Sequence, residues 1–320
     1  MLSNNQFAIG VDLGGTKIKL GVVNRSGVLV QDYIVPTEAE QGPHHVVEQI
    51  AKGVRHLLDK AGDIRGDFIG IGIGAPGTVD LDGGTVKYPP NFPNWTVFRL
   101  GDEIKKIFNL RVEVDNDANA AAVGEAKFGA GVGHPDFIMI TLGTGVGGGI
   151  IMDGKIYRGP TGGAGELGHI SIDYNGPRCN CGNYGCIEAY VGQKYLSKRT
   201  VEKLRDHPDS KIIELAKGNM SKVEPYLISV AANQGDQFAL DVLKEMGTLI
   251  GVALATILNI LDYRLVVVGG GVANAGKPLF DAMNESTRSR VLAPMRDEVQ
   301  VVPAKLGNQA GILGAAALLF

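Results

Sequence analysis

Cysteine is almost missing from this chain of 320 residues: there are three, Cys179, Cys181 and Cys186, all inside the stretch CNCGNYGC. An odd number excludes a closed set of disulfides. The opening MLSNNQFAIG has neither a basic start nor a long apolar stretch, so it does not read as a secretory signal. No window approaches the roughly 20 apolar residues that a membrane span requires. The expected compartment is therefore the reducing cytoplasm, where clustered cysteines bind metal more often than each other. Strong charge is lacking too. A net charge of −3 and a pI near 6.1 give no field to draw in a polyanion, so neither a nucleic-acid nor a membrane partner is expected.

Glycine, by contrast, is abundant at 46 residues, and it falls in clusters beside β-like runs rather than in a period or a linker. Such clusters at strand ends point to tight backbone turns, often around phosphate. FAIGVDLGGTKIKLGVVN reads as strand, glycine turn and strand. Val46, Val47, Ile50, Val54, Leu57 and Leu58 keep close to a 3.6-residue period and predict an amphipathic helix. FIGIGIGAPG is a short apolar strand, TVDLDGGTVKY a hairpin turning at Asp82-Gly83-Gly84, and DEIKKIF a short helix. RVEVDNDANAAAVGEAKF is an alternating strand that runs straight into an alanine-rich helix.

The opening pattern then returns, about 130 residues on, in FIMITLGTGVGGGIIMDGK, as an internal duplication would give. The span from roughly 190 to 262 reads as mostly helical. RLVVVGGGV is another buried strand with a glycine turn, followed by a helix from about 275, the strand VQVVPA and an apolar final helix. Alternating strands and helices at this length predict an α/β chain of two domains with mixed sheets.

DLGGT (Asp12 to Thr16) and LGTGVGGG (Leu142 to Gly149) could each cradle phosphate, because glycine lets consecutive N–H groups and a Thr hydroxyl converge on an anion. The plainer alternative is a pair of hairpin turns that need positive φ. Neither stretch has the P-loop spacing or a G-x-G-x-x-G that opens a helix. The pair resembles the sugar kinase, Hsp70 and actin superfamily, in which two actin-like (ribonuclease H-like) domains close over a nucleotide in an interdomain cleft. That resemblance implies that Asp12 organises Mg²⁺. It implies that Gly14, Gly15, Thr16, Gly143, Thr144 and Gly145 line the phosphates, with Lys17 as a helper or simply a solvated lysine. Gly269, Gly270 and Gly271 would line the nucleoside.

In VEVDNDANAAA, Asn116 and Asp117 fall where a strand ends and a helix begins, the place where open α/β sheets put ligands. Either residue could equally serve as a helix N-cap, worth about 1 kcal/mol. Phosphoryl transfer to an alcohol calls for a carboxylate at the nucleophilic hydroxyl and for cations on the phosphate. Asp117 suits the base; Asn116, able to donate and accept, suits a sugar hydroxyl. Asp115 is the weaker candidate because strand alternation turns it away.

His169, in ELGHISID, stands before the three cysteines. His169, Cys179, Cys181 and Cys186 make a Cys₃His set, the usual closed shell of a structural Zn²⁺. Buried thiols beside a core histidine are the bland alternative. Four protein ligands leave no position for a catalytic water, and the non-basic loop argues against a nucleic-acid zinc knuckle. Such a staple would fix Glu166 and Glu188 on either side of it. One ring nitrogen of His169 would bind metal while the other faces a ligand hydroxyl, giving a polar rim suited to a polyol.

DLGGTKI, DNDANAAAVGE, TLGTGVGGG, GAGELGH and CNCGNYGCIEAY together resemble the ROK family (repressors, open reading frames and kinases), from about residue 7 to the C-terminus. The E-x-G-H plus C-x-C-G-x-x-G-C-x-E combination is the specific part. The resemblance implies that Asp117 is the catalytic base, that Asn116, Glu166, His169 and Glu188 contact the sugar, and that NFPNW (Asn91 to Trp95) is a further sugar-side loop. It implies ATP-dependent phosphorylation of a hexose at its 6-hydroxyl, glucose foremost, with fructose, N-acetylglucosamine and N-acetylmannosamine as alternatives, and with structural zinc and Mg²⁺ as cofactors. Members are usually homodimers or homotetramers. The family also holds sugar-responsive repressors with an N-terminal helix-turn-helix; a first strand at about residue 7 favours the enzyme. The expected division is a small domain over 1–117 plus 308–320 and a large one over 118–307, closing to keep water from the reaction.

Overall fold

The computed structural model describes residues 6–62, 68–80 and 82–320; Leu81, inside the expected hairpin, and residues 1–5 lie outside the described residues. The chain opens with strands β1 (Phe7–Leu13), β2 (Lys17–Asn24) and β3 (Leu29–Pro36), helix α1 (Pro43–Lys60) and strand β4 (Phe68–Ala75). Three short strands follow, β5 (Thr78–Asp80), β6 (Thr85–Lys87) and β7 (Val97–Arg99), then α2 (Leu100–Phe108), β8 (Val112–Asn116) and α3 (Asp117–Phe128). The second half runs β9 (Phe137–Leu142), β10 (Val146–Met152), β11 (Lys155–Ile156), α4 (Glu188–Val191), α5 (Gln193–Lys203), α6 (Lys211–Leu215), α7 (Pro225–Asn233) and α8 (Gln237–Leu261). It closes with β12 (Leu265–Gly269), α9 (Lys277–Arg290), β13 (Gln300–Pro303) and α10 (Ala310–Ala317).

The duplication is explicit in the topology. One five-stranded sheet has the order β3-β2-β1-β4-β8 and the other β11-β10-β9-β12-β13. In each, an antiparallel hairpin leads into parallel strands: β1 pairs with β4 and β4 with β8, and β12 pairs with both β9 and β13. The expected hairpin forms too, with Val79 opposite Val86 on β5 and β6.

Two compact units emerge, Met1–Pro135 with Gly149–Gly165 and Lys305–Phe320, and Asp136–Gly148 with Glu166–Ala304. This differs from the expected division at residue 117. Helix α3 stays with the first unit because it lies against α10 at glycine-only distance: a Cβ on Gly124 would sit 2.8 Å from the Gly314 Cα. The return to that unit comes at Lys305, slightly earlier than expected.

In the first unit, α1 begins at Pro43, whose fixed φ suits a first helical turn. Its predicted face is the buried one: Val46, Val47, Ile50, Val54 and Leu57 join Ile9, Leu20, Ile71 and Ile73 in one core, with Leu58 packed at its margin. Each such side chain fully buried stabilises by about 1.5–3 kcal/mol. The opposite sheet face takes α10, through Ile312, Leu313 and Ala316 against Ala8 and Val23. Here the helix backbone rests directly on the strands, since a Cβ on Gly72 would fall 1.9 Å from the Ala315 carbonyl oxygen.

The second unit builds on β12, all five residues of which are buried, and on α8 lying against α9. A Cβ on Gly247 of α8 would sit 2.6 Å from the Leu279 carbonyl oxygen of α9. Among the described residues, no helix is long and apolar enough to cross a membrane.

Candidate active site and metal centre

In the first unit the expected residues collect at the C-terminal ends of parallel strands. Asp12, next to last in β1, lies opposite Gly74 of β4, and Asn116 closes β8 opposite Ala75. Asp12 is half-buried and accepts from Lys19 Nζ at 3.2 Å. Helix α10 crowds it from behind: a Cβ on Gly311 would sit 2.5 Å from the Asp12 Cγ. The Gly14–Thr16 turn is pinned by buried Thr37. The Thr37 hydroxyl donates to Gly14 O at 2.6 Å, and its N–H to Thr16 O at 3.0 Å. Gly15, Thr16 and Lys17 are exposed.

The β8–α3 corner separates its three polar residues by role. Asn116 is the N-cap: its Oδ1 accepts the N–H of Ala118 at 2.9 Å and of Asn119 at 3.2 Å, and its Nδ2 donates to Gly77 O at 2.9 Å. Asp117, the first helical residue, is exposed, and its Oδ1 accepts the Ala118 N–H at 2.8 Å. Asp115 is buried and saturated. Its Oδ1 accepts from Asn116 N (2.8 Å) and Asn119 Nδ2 (3.0 Å), and its Oδ2 from Arg158 Nε (2.8 Å) and Nη2 (2.7 Å). A carboxylate with both oxygens so engaged has no place for a substrate proton. Arg158 was not foreseen from the sequence, and nothing in YRGPTGG signals it.

The NFPNW stretch is half core and half surface. Phe92 and Trp95 are buried in the first core, while Asn91 and Asn94 are exposed in left-handed conformations (φ 67° and 69°). Asn91 Cβ lies 3.3 Å from where a Cβ on Gly15 would stand.

In the second unit, two glycine turns leave adjacent parallel strands, Gly269 on β12 being opposite Thr141 on β9. The exposed Gly270 has φ 88°, and a Cβ there would meet Leu142 O at 2.2 Å. The Gly143–Gly145 turn is closed by Gly143 N–H to Gly145 O (3.0 Å) and anchored by Gln193 N–H to Gly143 O (3.1 Å). Thr144 is exposed at its tip. None of Gly14, Gly15, Gly143 and Gly145 has a positive φ. At Gly145 space rather than handedness is tight: a Cβ would lie 2.3 Å from the Glu188 Oε2, so the carboxylate end would have to shift. That same Oε2 accepts the Val146 N–H at 2.9 Å, so Glu188, at the start of α4, holds the turn.

The His169, Cys179, Cys181 and Cys186 ligand atoms lie within 4.8 Å of one another. Cys179 Sγ is 3.7 Å from His169 Nδ1, and Cys181 Sγ is 3.7 Å from Cys186 Sγ. Tetrahedral Zn–S bonds of about 2.3 Å place ligand atoms roughly 3.8 Å apart. The donors therefore fit a four-coordinate zinc, and the three thiols are free of disulfides. Small backbone links shape the knot: a bridge between Ser171 and Cys186, another between Arg178 and Tyr184, and Cys179 N–H to Asn183 O at 2.8 Å. Burial pushes the Cys186 thiol up to about 12 and raises that of Cys179; the Asn183 N–H lowers that of Cys181. Glu166 is exposed, one residue before the short 3₁₀ turn that ends in His169.

Residues 8–320 match the ROK family. The chain belongs to the ROK family. A glucokinase of Thermotoga maritima is 36% identical over 311 residues, 97% of this chain and 96% of the relative's length. The crystal structure of a ROK family glucokinase from Streptomyces griseus, in complex with glucose and AMPPNP, superimposes with a TM-score of 0.83 at 39% identity, covering 98% of both chains. The xylose repressor of Bacillus subtilis is 31% identical, and the match spans 98% of this chain but 77% of the repressor.

Proposed function

We propose that this chain transfers the γ-phosphoryl group of Mg-ATP to the 6-hydroxyl of a hexose, with glucose the first substrate. The observation that carries the reading is the division of labour at the β8–α3 corner. Asp115 is buried and saturated, whereas Asp117 is exposed at the start of a helix. The full-length likeness to glucokinases supports the same reading.

In this reading Asp117 accepts the proton of the 6-hydroxyl as that oxygen attacks phosphorus. Asn116 keeps the corner in shape and offers its amide to the sugar, and Glu166, Glu188 and the Nε2 of His169 take further hydroxyls. The turns at Gly14–Thr16 and Gly143–Gly145 hold the phosphate oxygens with backbone N–H groups. Asp12 would hold Mg²⁺, which neutralises charge on the phosphates when bound. Gly269, Gly270 and Gly271 take the nucleoside. Zinc on His169 and the three cysteines fixes the knot and takes no part in the chemistry, because four protein ligands close its shell.

The test is a hexose panel with saturating Mg-ATP, following ADP and sugar phosphate together. Glucose-dependent ADP release matched by glucose 6-phosphate is expected. Failure of every hexose to release ADP would remove the assignment.

A further inference from the structure

We propose that Arg158 is a positioning residue for Asp117: its guanidinium locks Asp115, and through Asp115 the strand-to-helix turn that sets the Asp117 carboxylate. The inference rests on the reading of Asp117 as the base. Arg158 comes from the loop after β11, 43 positions from Asp115 along the chain, and places both Nε and Nη2 on one oxygen of it. The other oxygen of Asp115 holds the N–H of Asn116 and the side-chain amide of Asn119. Asp115 thus holds Asn116, just before Asp117, by its backbone and Asn119, two residues after it, by its side chain.

Arg158 is itself held at its backbone. Its carbonyl accepts the Ala164 N–H at 3.1 Å, and the preceding Tyr157 N–H donates to Ile150 O at 2.8 Å. The guanidinium therefore acts from a fixed point. Only the Asp115 end of this ion pair is fully buried, and such pairs are weak contributors to stability, so its place beside the reacting carboxylate fits a positioning role. Geometry supplies one. Arginine is planar and can place two N–H donors on one acceptor, which a lysine ammonium on its flexible stem does not reproduce.

Two variants test this, Arg158→Lys and the neutral pair Asp115→Asn with Arg158→Gln, beside Asp117→Asn in the Mg-ATP and glucose assay. Unfolding midpoint and zinc content report the fold. The folded variants should lose about tenfold or more in kcat, with KM for both substrates within about threefold, as misplacement of a reacting group predicts. The neutral pair keeps the test open if unpaired charge unfolds a single variant. A folded variant of either kind with kcat within about twofold of the unaltered chain, or with its loss confined to KM, overturns the proposal. Turnover surviving in Asp117→Asn overturns the base assignment instead, and the two failures are told apart in one experiment.

Discussion

At the scale of single residues, two aspartates two positions apart divide the work at the β8–α3 corner. Asp115 is buried, where four donors occupy it, and Asp117 is exposed on the first turn of α3. A strand period of two would put both on one face; the start of the helix at Asp117 is what parts them, and that break is what the sequence made legible. Capping was legible only as a choice between residues; Asn116 takes it with two N–H groups. Arg158 was not legible, since contacts made across 43 positions leave no local pattern. Asp117→Ala should lower kcat by about 10²–10⁴-fold, the usual contribution of a general base. Its unfolding midpoint should stay near that of the unaltered chain. Turnover near the original would take Asp117 out of the base role.

At the element scale, the cysteine knot and the β9–β10 turn behave as one piece. Glu188 follows Cys186 by two residues and holds the Val146 N–H, so the metal loop and the glycine turn share a carboxylate. Cys181→Ala should therefore lose zinc and weaken glucose binding together; metal analysis and calorimetry check it, and a zinc-free variant with normal glucose affinity would refute the coupling. Thiols must shed protons to bind the metal, and burial holds the Cys186 thiol up at about 12. Protons thus compete with zinc, and affinity should fall as pH falls. A chelator titration across neutral to mildly acidic pH reads this, and a pH-independent affinity would contradict it.

Other elements were less visible. Strand β3 exposes Val30 and Ile34 about as much as a polar face would be, at 52% and 50%, so its apolar residues show no alternation to read. The docking of α10 depends on missing side chains. Gly72→Ala would drive a methyl toward the Ala315 carbonyl and should cost about 1–3 kcal/mol in denaturant unfolding.

At the scale of the whole molecule, the repeat of strand, glycine turn and strand forecast two sheets of one design, and their strand orders correspond position by position. The boundary between units was harder to place. It depends on α3 lying against α10, a long-range contact made through Gly124 and Gly314 rather than through any local signal. The chain's place in the ROK family rests on motifs spread from β1 to α4, and the match covers residues 8–320. The most direct measurement of phosphoryl transfer is ADP release by the purified, zinc-loaded protein with Mg-ATP, with and without glucose. Release that depends on glucose, yields glucose 6-phosphate in equal amount and vanishes in Asp117→Ala is the predicted result. Glucose-independent ATP hydrolysis, or no release with any hexose, would contradict it.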